Sequence, residues 1–264
     1  MNIFDFYHKK QQGEKISVVT CYDYTSARIL SQTTVDCLLV GDSAAMTMHG
    51  FKDTLSATLE MMCYHTAAVH RGAGHKFIVS DLPFMSYRKS LSKNVSAAQA
   101  LMQAGACAVK LECVAGNEKL IHHLTQSGIP VMGHLGLTPQ FIHSLGGYKT
   151  QGVTEASAKR LKEDALALQE AGCFSLVLEC IPTKLAQEIT SALTIPTIGI
   201  GAGPMTDGQV LVFQDLLGLN IDFQPKFVKT FLDGQKKIKD GIEAYINAVK
   251  SGEFPQHEHC YDGK

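Results

Sequence analysis

The chain has 264 residues, with 24 Lys and Arg against 25 Asp and Glu, and 45% of it is apolar. A near-neutral balance with no basic stripe excludes a nucleic-acid surface, and an apolar content this high excludes a disordered chain. The length allows one large α/β domain or two small ones, and a chain this long needs no disulfide or metal staple.

Residues 1–14 are polar and mixed in charge, without the apolar stretch of a secretory signal. No apolar run approaches the ~20 residues that span a bilayer, so a cytoplasmic protein with no membrane partner is expected. None of the eight cysteines forms a Cys-x-x-Cys pair, which fits a reducing compartment and excludes a zinc ribbon. Short apolar, β-rich runs recur at 16–22, 37–41, 76–80, 106–111, 130–133, 174–178, 196–200 and 210–213. Parallel strands buried on both faces read as continuous runs of this kind.

Helical spacing fills the intervals. Val95, Ala98, Leu101 and Met102 precede the fourth run, Ala158, Leu161, Ala165 and Leu168 the sixth, and Leu185, Ile189 and Leu193 the seventh. Gly72, Gly105, Gly128 and Gly172 stand where helices stop and a left-handed residue is wanted. Thr138-Pro139 suits an N-cap followed by proline at the first helical position. A closing helix is expected over 235–249, with Ile238, Ile242, Ile246 and Val249 on one face. Eight such runs in about 250 residues match an α/β fold of the (β/α)8 TIM-barrel type. Residues 1–264 are expected to form a single barrel domain with N-terminal and C-terminal helical extensions. A doubly wound sheet is the competing architecture, and the eighth run is the weakest.

In a barrel the chemistry sits at the C-terminal ends of the strands. Those ends carry Asp23, Asp42-Ser43, Asp81, Lys110 with Glu112, His134, Glu179 and the glycine-rich 199–203 loop. A helix cap accounts for Asp23. The remaining acids, converging, would make an anionic cup that needs a cation. Asp42, Asp81 and Glu112 offer three hard oxygen ligands without a thiolate, a donor set for Mg²⁺. Lys110 and Glu112, two apart on one strand, share a face. Lys110 would counter a substrate carboxylate or form a Schiff base.

The glycines around His134 would let a ligand approach, although a hydrogen-bonded core histidine fits that position as well. An apolar strand delivers Glu179, where partial burial would raise its pKa toward that of a general base. Gly199-Ile-Gly-Ala-Gly203 has Pro204 where a dinucleotide motif needs its last glycine, so it reads as a tight turn. His257-Glu-His-Cys260 lies in a polar terminal segment and reads as a solvated tail.

Six segments go further: Val40-Gly-Asp-Ser43, Asp81-Leu-Pro-Phe-Met-Ser-Tyr87, Val109-Lys-Leu-Glu112, Gly133-His-Leu-Gly-Leu-Thr-Pro-Gln140, Gly146-Gly-Tyr-Lys149, and 199–203 with Asp207-Gly-Gln209. In this order and spacing they closely resemble the ketopantoate hydroxymethyltransferase family. The resemblance implies a (β/α)8 barrel that transfers a hydroxymethyl group from 5,10-methylenetetrahydrofolate to 3-methyl-2-oxobutanoate through a Mg²⁺-stabilised enolate. The product would be ketopantoate, in the first committed step of pantothenate and coenzyme A synthesis. It implies metal binding by Asp42, Asp81 and Glu112, directly or through water. Asp42, Ser43, Asp81, Lys110 and His134 are implied at the oxo acid, and Glu179 as the proton acceptor.

Homo-oligomers, commonly decamers, are implied as well. Ala44-Ala45-Met46 stands where the family commonly has Leu-Gly-Met, Cys113-Val114 where it commonly has two glycines, and Lys229 where arginine is common. The alternatives are another metal-dependent 2-oxo acid lyase of the phosphoenolpyruvate/pyruvate barrel type, a Schiff-base aldolase working through Lys110, or an inactive paralogue.

Overall fold

The computed structural model describes residues 1–221 and 224–261. It forms two compact units, Met1–Val212 and Phe213–Lys264. The first opens with α1 (Ile3–Gln12), started by a capping box in which Asn2 accepts from Phe4 N and Asp5 accepts from Asn2 N. Strand and helix then alternate: β1 (Ile16–Thr20), α2 (Tyr24–Ser31), β2 (Cys37–Val40), α3 (Ala44–Thr47), α4 (Leu59–Gly72), β3 (Phe77–Asp81), α5 (Leu91–Gln103), β4 (Ala108–Glu112) and α6 (Glu118–Gln126). The series continues with β5 (Val131–Gly136), α7 (Ile142–Leu145), α8 (Glu155–Glu170), β6 (Ser175–Glu179), α9 (Thr183–Ala192), β7 (Thr197–Ile200) and β8 (Gly208–Leu211).

Among the described residues these eight strands pair in parallel and in chain order, and β8 returns to β1 with Ile16 opposite Gly208. The barrel is closed. A closed ring excludes the doubly wound sheet.

The eighth strand is regular but begins at Gly208, two residues before the expected run. Glycine and glutamine do not read as a strand. Yet a Cβ on Gly208 would lie 2.4 Å from Ile16 O, so only glycine permits this closing pair. Among the helix stops, Gly105, Gly128 and Gly172 take positive φ as expected. Gly72 does not: it is the last residue of α4, where a Cβ would meet Tyr24 O at 2.6 Å, and the left-handed turn falls on Gly74. Its smallness serves helix packing instead.

The period of two along each strand explains where the core ends and the site begins. Phe77 and Val79, Ala108, Met132 and Val177 belong to one buried apolar cluster. Two residues on, the same faces present Asp81, Lys110, His134 and Glu179. At the other end, Phe6 of α1 is fully buried and meets Phe77 and Phe174 edge-on, at ring distances of 5.4 and 5.2 Å. Phe77 opens β3 and Phe174 precedes β6, so α1 stops the N-terminal mouth of the barrel with one aromatic side chain. Burying such a ring stabilises by roughly 1.5–3 kcal/mol.

In the second unit, α10 (Phe213–Leu216) is followed by a loop that hydrogen-bonds back through Phe231 N to Leu216 O. Then α11 (Gly234–Ser251) runs from an Asp233 cap to left-handed Gly252. It holds the expected closing-helix segment, and Phe254 packs against Tyr245. Among the described residues no helix is long and apolar enough to cross a membrane.

Candidate active site

The C-terminal ends of β2 to β6 bring the expected side chains together. Asp42 is the second residue after β2, Asp81 ends β3, Lys110 and Glu112 lie on β4, His134 lies on β5, and Glu179 ends β6. Strand register sets Asp81 beside Lys110 and Glu112 beside His134. Asp42, Asp81, Lys110, Glu112 and His134 are all buried. Glu179 keeps 16% side-chain exposure and stands at the rim.

A chain of polar contacts orders the group. Asp81 Oδ2 accepts from the Asp42 backbone N at 3.1 Å, and Asp81 Oδ1 pairs with Lys110 Nζ at 2.8 Å. Ser43 Oγ lies 2.8 Å from the Tyr22 hydroxyl. The ring nitrogens of His134 lie 3.4 Å from Glu112 Oε1 and 3.2 Å from Glu179 Oε2. Neither histidine contact, nor that of Lys110 with Asp81 Oδ1, has the alignment of a full hydrogen bond, so these are pairings of charge.

The electrostatics follow from the crowding. Burial, then Asp81 and Glu112, push the Asp42 carboxyl well above the usual carboxylate range, against Lys110 and Gln140. Burial opposes the charge on Lys110, but Asp81, Asp42 and Glu112 outweigh it and hold the ammonium above its ordinary range. Burial and Lys110 oppose protonation of His134, yet its contacts with Glu112 and Glu179 push its pKa up to about 9. Four acids thus face two cations, and the crowding holds the Asp42 carboxyl toward its neutral form.

A residue without an assigned role organises this cluster. Gln140 is 3% exposed and lies in the loop after β5. Its Nε2 donates to Asp42 Oδ2 (2.8 Å) and to Leu82 O (3.0 Å), its Oε1 accepts from the Tyr87 hydroxyl (2.7 Å), and its backbone N donates to Glu112 Oε2 (3.1 Å). In the sequence it is an uncharged amide closing the Gly133–Gln140 block, and nothing there marks it as buried.

The glycines around His134 serve packing rather than ligand approach. A Cβ on Gly133 would meet Leu168 at 2.9 Å, and one on Gly136 would lie 2.1 Å from Glu179 O. Asp23 caps α2 as expected, accepting from Ser26 N and Oγ. The 199–203 loop makes the tight turn after β7, with Gly201 and Gly203 at positive φ. Residues 257–259 form an exposed turn in the second unit.

The donor set fits a divalent cation. It consists of hard oxygens, Asp42 Oδ1 has no hydrogen-bond partner among the described residues, and the Asp42 carboxyl is strained by its acidic neighbours. Both oxygens of Glu112 and both of Asp81 already face protein donors, so Asp42 Oδ1 is the carboxylate oxygen left open to an ion. Among the described residues no three His, Cys, Asp or Glu side chains are gathered to hold an ion by themselves. One or two carboxylates, completed by water and substrate, is the coordination Mg²⁺ ordinarily takes.

A family model described as ketopantoate hydroxymethyltransferase matches residues 1–257. A 3-methyl-2-oxobutanoate hydroxymethyltransferase of Bdellovibrio bacteriovorus is 58% identical over 259 residues, 98% of each chain. The protein of the same name from Coxiella burnetii is 57% identical over 263 residues, 99% of each chain. In fold, the chain is similar to a solved phosphonopyruvate hydrolase in complex with oxalate and Mg²⁺. That match has a TM-score of 0.64 at 8% identity, covering 98% of this chain and 93% of the other.

Proposed function

The chain belongs to the ketopantoate hydroxymethyltransferase family, and we propose that it transfers a hydroxymethyl group from 5,10-methylenetetrahydrofolate to C3 of 3-methyl-2-oxobutanoate. The product is ketopantoate, which enters pantothenate and coenzyme A synthesis. The observation that carries this reading is the buried acid cluster around Asp42, with Glu179 at its rim on one side and charged Lys110 on the other.

Asp42 and Asp81 would hold Mg²⁺, with Glu112 contributing through water. When bound, the ion polarises the keto oxygen and lowers the cost of losing the C3 proton. The chain's own groups do the rest. Lys110 and the Ser43 hydroxyl receive the carboxylate of the oxo acid, and Asp42, Asp81 and His134 close around it. Glu179 takes the C3 proton and is kept in place by the His134 ring at 3.2 Å. The C3 carbanion then attacks the methylene unit of the folate. The methylene reacts as an iminium, one of its two C–N bonds having opened with protonation of that nitrogen. The new C3–CH₂ bond forms as the iminium electron pair returns to the other nitrogen. Water then replaces that nitrogen on the carbon, and tetrahydrofolate leaves. A Schiff base at Lys110 is disfavoured, because that mechanism needs a neutral amine and the pocket holds an ammonium.

Family likeness supports a cytoplasmic homo-oligomer, with a decamer as the expected state. The testing experiment follows ketopantoate formation from 3-methyl-2-oxobutanoate, methylenetetrahydrofolate and Mg²⁺. EDTA should abolish turnover and Mg²⁺ restore it; full turnover in EDTA would remove the metal from the account.

A further inference from the structure

The reaction proposed above needs a second, larger reactant to reach C3 of the oxo acid from outside the buried acid cluster. Beside it lies a cleft of about 280 Å³, lined among others by Lys52, Asp53, Ile142, His143, Gly147 and Tyr148. All of these lie in the connections that follow β2 or β5, with Ile142 and His143 on the short α7. Tyr148 is 56% exposed and is steadied by its hydroxyl, which lies 3.9 Å from Met46 Sδ on α3. The ring also stands within the electrostatic reach of the cluster. Burial, then Asp53, Glu179 and Asp42, raise its pKa.

The lining has a definite chemistry. Tyr148 offers an aromatic face, Ile142 an apolar one, and Gly147 a backbone with no Cβ and open space where one would be. Asp53 uses Oδ1 to cap the turn at Thr54–Ser56, which leaves its other oxygen for a donor. Lys52 supplies positive charge at the edge, and His143 a ring nitrogen able to hydrogen-bond. A flat heterocycle with an amino-imino edge, carried on an anionic tail, matches each of these features. The volume is near the lower end for ligand pockets. It suits a bicyclic head while the tail runs outward past Lys52.

We propose that this cleft seats the one-carbon carrier, with the reduced pterin against Tyr148, its donor edge toward Asp53, and the glutamate carboxylates toward Lys52 and His143. The assignment rests on the folate-dependent reaction proposed above.

The test separates the carrier from the oxo acid. Exchange of the C3 proton of 3-methyl-2-oxobutanoate with solvent needs no carrier, whereas turnover does. Tyr148→Ala should raise KM for methylenetetrahydrofolate about tenfold, the scale of a lost aromatic stack. KM for the oxo acid and the rate of C3 exchange should stay within about twofold, since stacking losses act only on the stacked ligand. Tyr148→Phe, which keeps the ring, should restore the carrier's KM. Lys52→Ala should weaken a polyglutamylated carrier more than a monoglutamylated one. An unchanged carrier KM in both Tyr148→Ala and Lys52→Ala would overturn the assignment. So would equal losses for both substrates. Wild-type enzyme that exchanged C3 yet never consumed the carrier would instead overturn the reaction on which the assignment rests.

Discussion

Gln140 Nε2 donates to Asp42 Oδ2 at 2.8 Å, while the backbone N of the same residue donates to Glu112 Oε2 at 3.1 Å. One residue therefore fixes two of the acids that face the proposed cation, and its own amide is fixed by Tyr87 and Leu82. Replacing it by leucine should strand the Tyr87 hydroxyl and the Leu82 carbonyl in the interior, at a cost of roughly 1–3 kcal/mol. Loss of such a supporting contact should weaken divalent-cation binding about 10- to 100-fold. Thermal melts and a Mn²⁺ titration followed by electron spin resonance would measure both. Unchanged Mn²⁺ affinity would show that Gln140 is structural filling.

Much of this architecture was legible in the sequence, and the limits have physical causes. The strands announce themselves because parallel strands are apolar on both faces, and the functional acids follow them by the period of two. The strand ends are less visible: Asp81, Glu112 and Glu179 are themselves strand residues, since a buried charged group can close a strand when a partner waits beside it. Gly208 and Phe6 were illegible for a different reason. Each depends on a contact with a distant element, Ile16 O in one case and two phenylalanines in the other. Gln140 belongs to the same class. Its four bonds reach residues spread over almost a hundred positions.

Lys110 pairs with Asp81 at 2.8 Å, and its acidic neighbours hold the ammonium above its ordinary range, which favours the enolate route over a Schiff base. Borohydride added with 3-methyl-2-oxobutanoate should leave the mass of the chain unchanged. A reduced adduct mapped to Lys110 would reinstate the Schiff-base aldolase.

Cys113 directly follows Glu112 and adopts φ 63°, in the left-handed region, at a position where the resembled family commonly has glycine. By contrast Ala44 and Ala45 begin an ordinary helical turn and carry no such strain. A left-handed non-glycine residue costs on the order of 1 kcal/mol. Cys113→Gly should therefore raise the melting temperature by about 2–4 °C. Cys113→Ala, which keeps the strain, should not. Equal melting temperatures for the two variants would remove the backbone explanation.

Asp36 ties the barrel floor together. It accepts from Ser17 N (2.8 Å) and Ser17 Oγ (2.9 Å) and pairs with Lys9 of α1 at 3.2 Å. Burial opposes its charge, but the Ser17 and Lys9 contacts win and hold its pKa below the ordinary 3.8. A depressed folded pKa means the unfolded chain takes up the proton first as pH falls. The stabilisation is thus complete above the ordinary value and is lost as pH drops through the folded one. Asp36→Asn should cost roughly 1 kcal/mol at neutral pH, the scale of a charge-assisted hydrogen bond. In urea melts that difference from wild type should shrink below about pH 4, as the linkage requires. A difference independent of pH would mean that Asp36 acts by shape alone.

The central claim is that Glu179 removes the C3 proton of an oxo acid held over the acid cluster. Solvent-deuterium exchange at C3 of 3-methyl-2-oxobutanoate, followed by proton NMR without any folate present, tests it most directly. Wild-type enzyme with Mg²⁺ should exchange the proton, and Glu179→Gln should abolish exchange while still binding the metal. Exchange in Glu179→Gln at the wild-type rate would contradict the account.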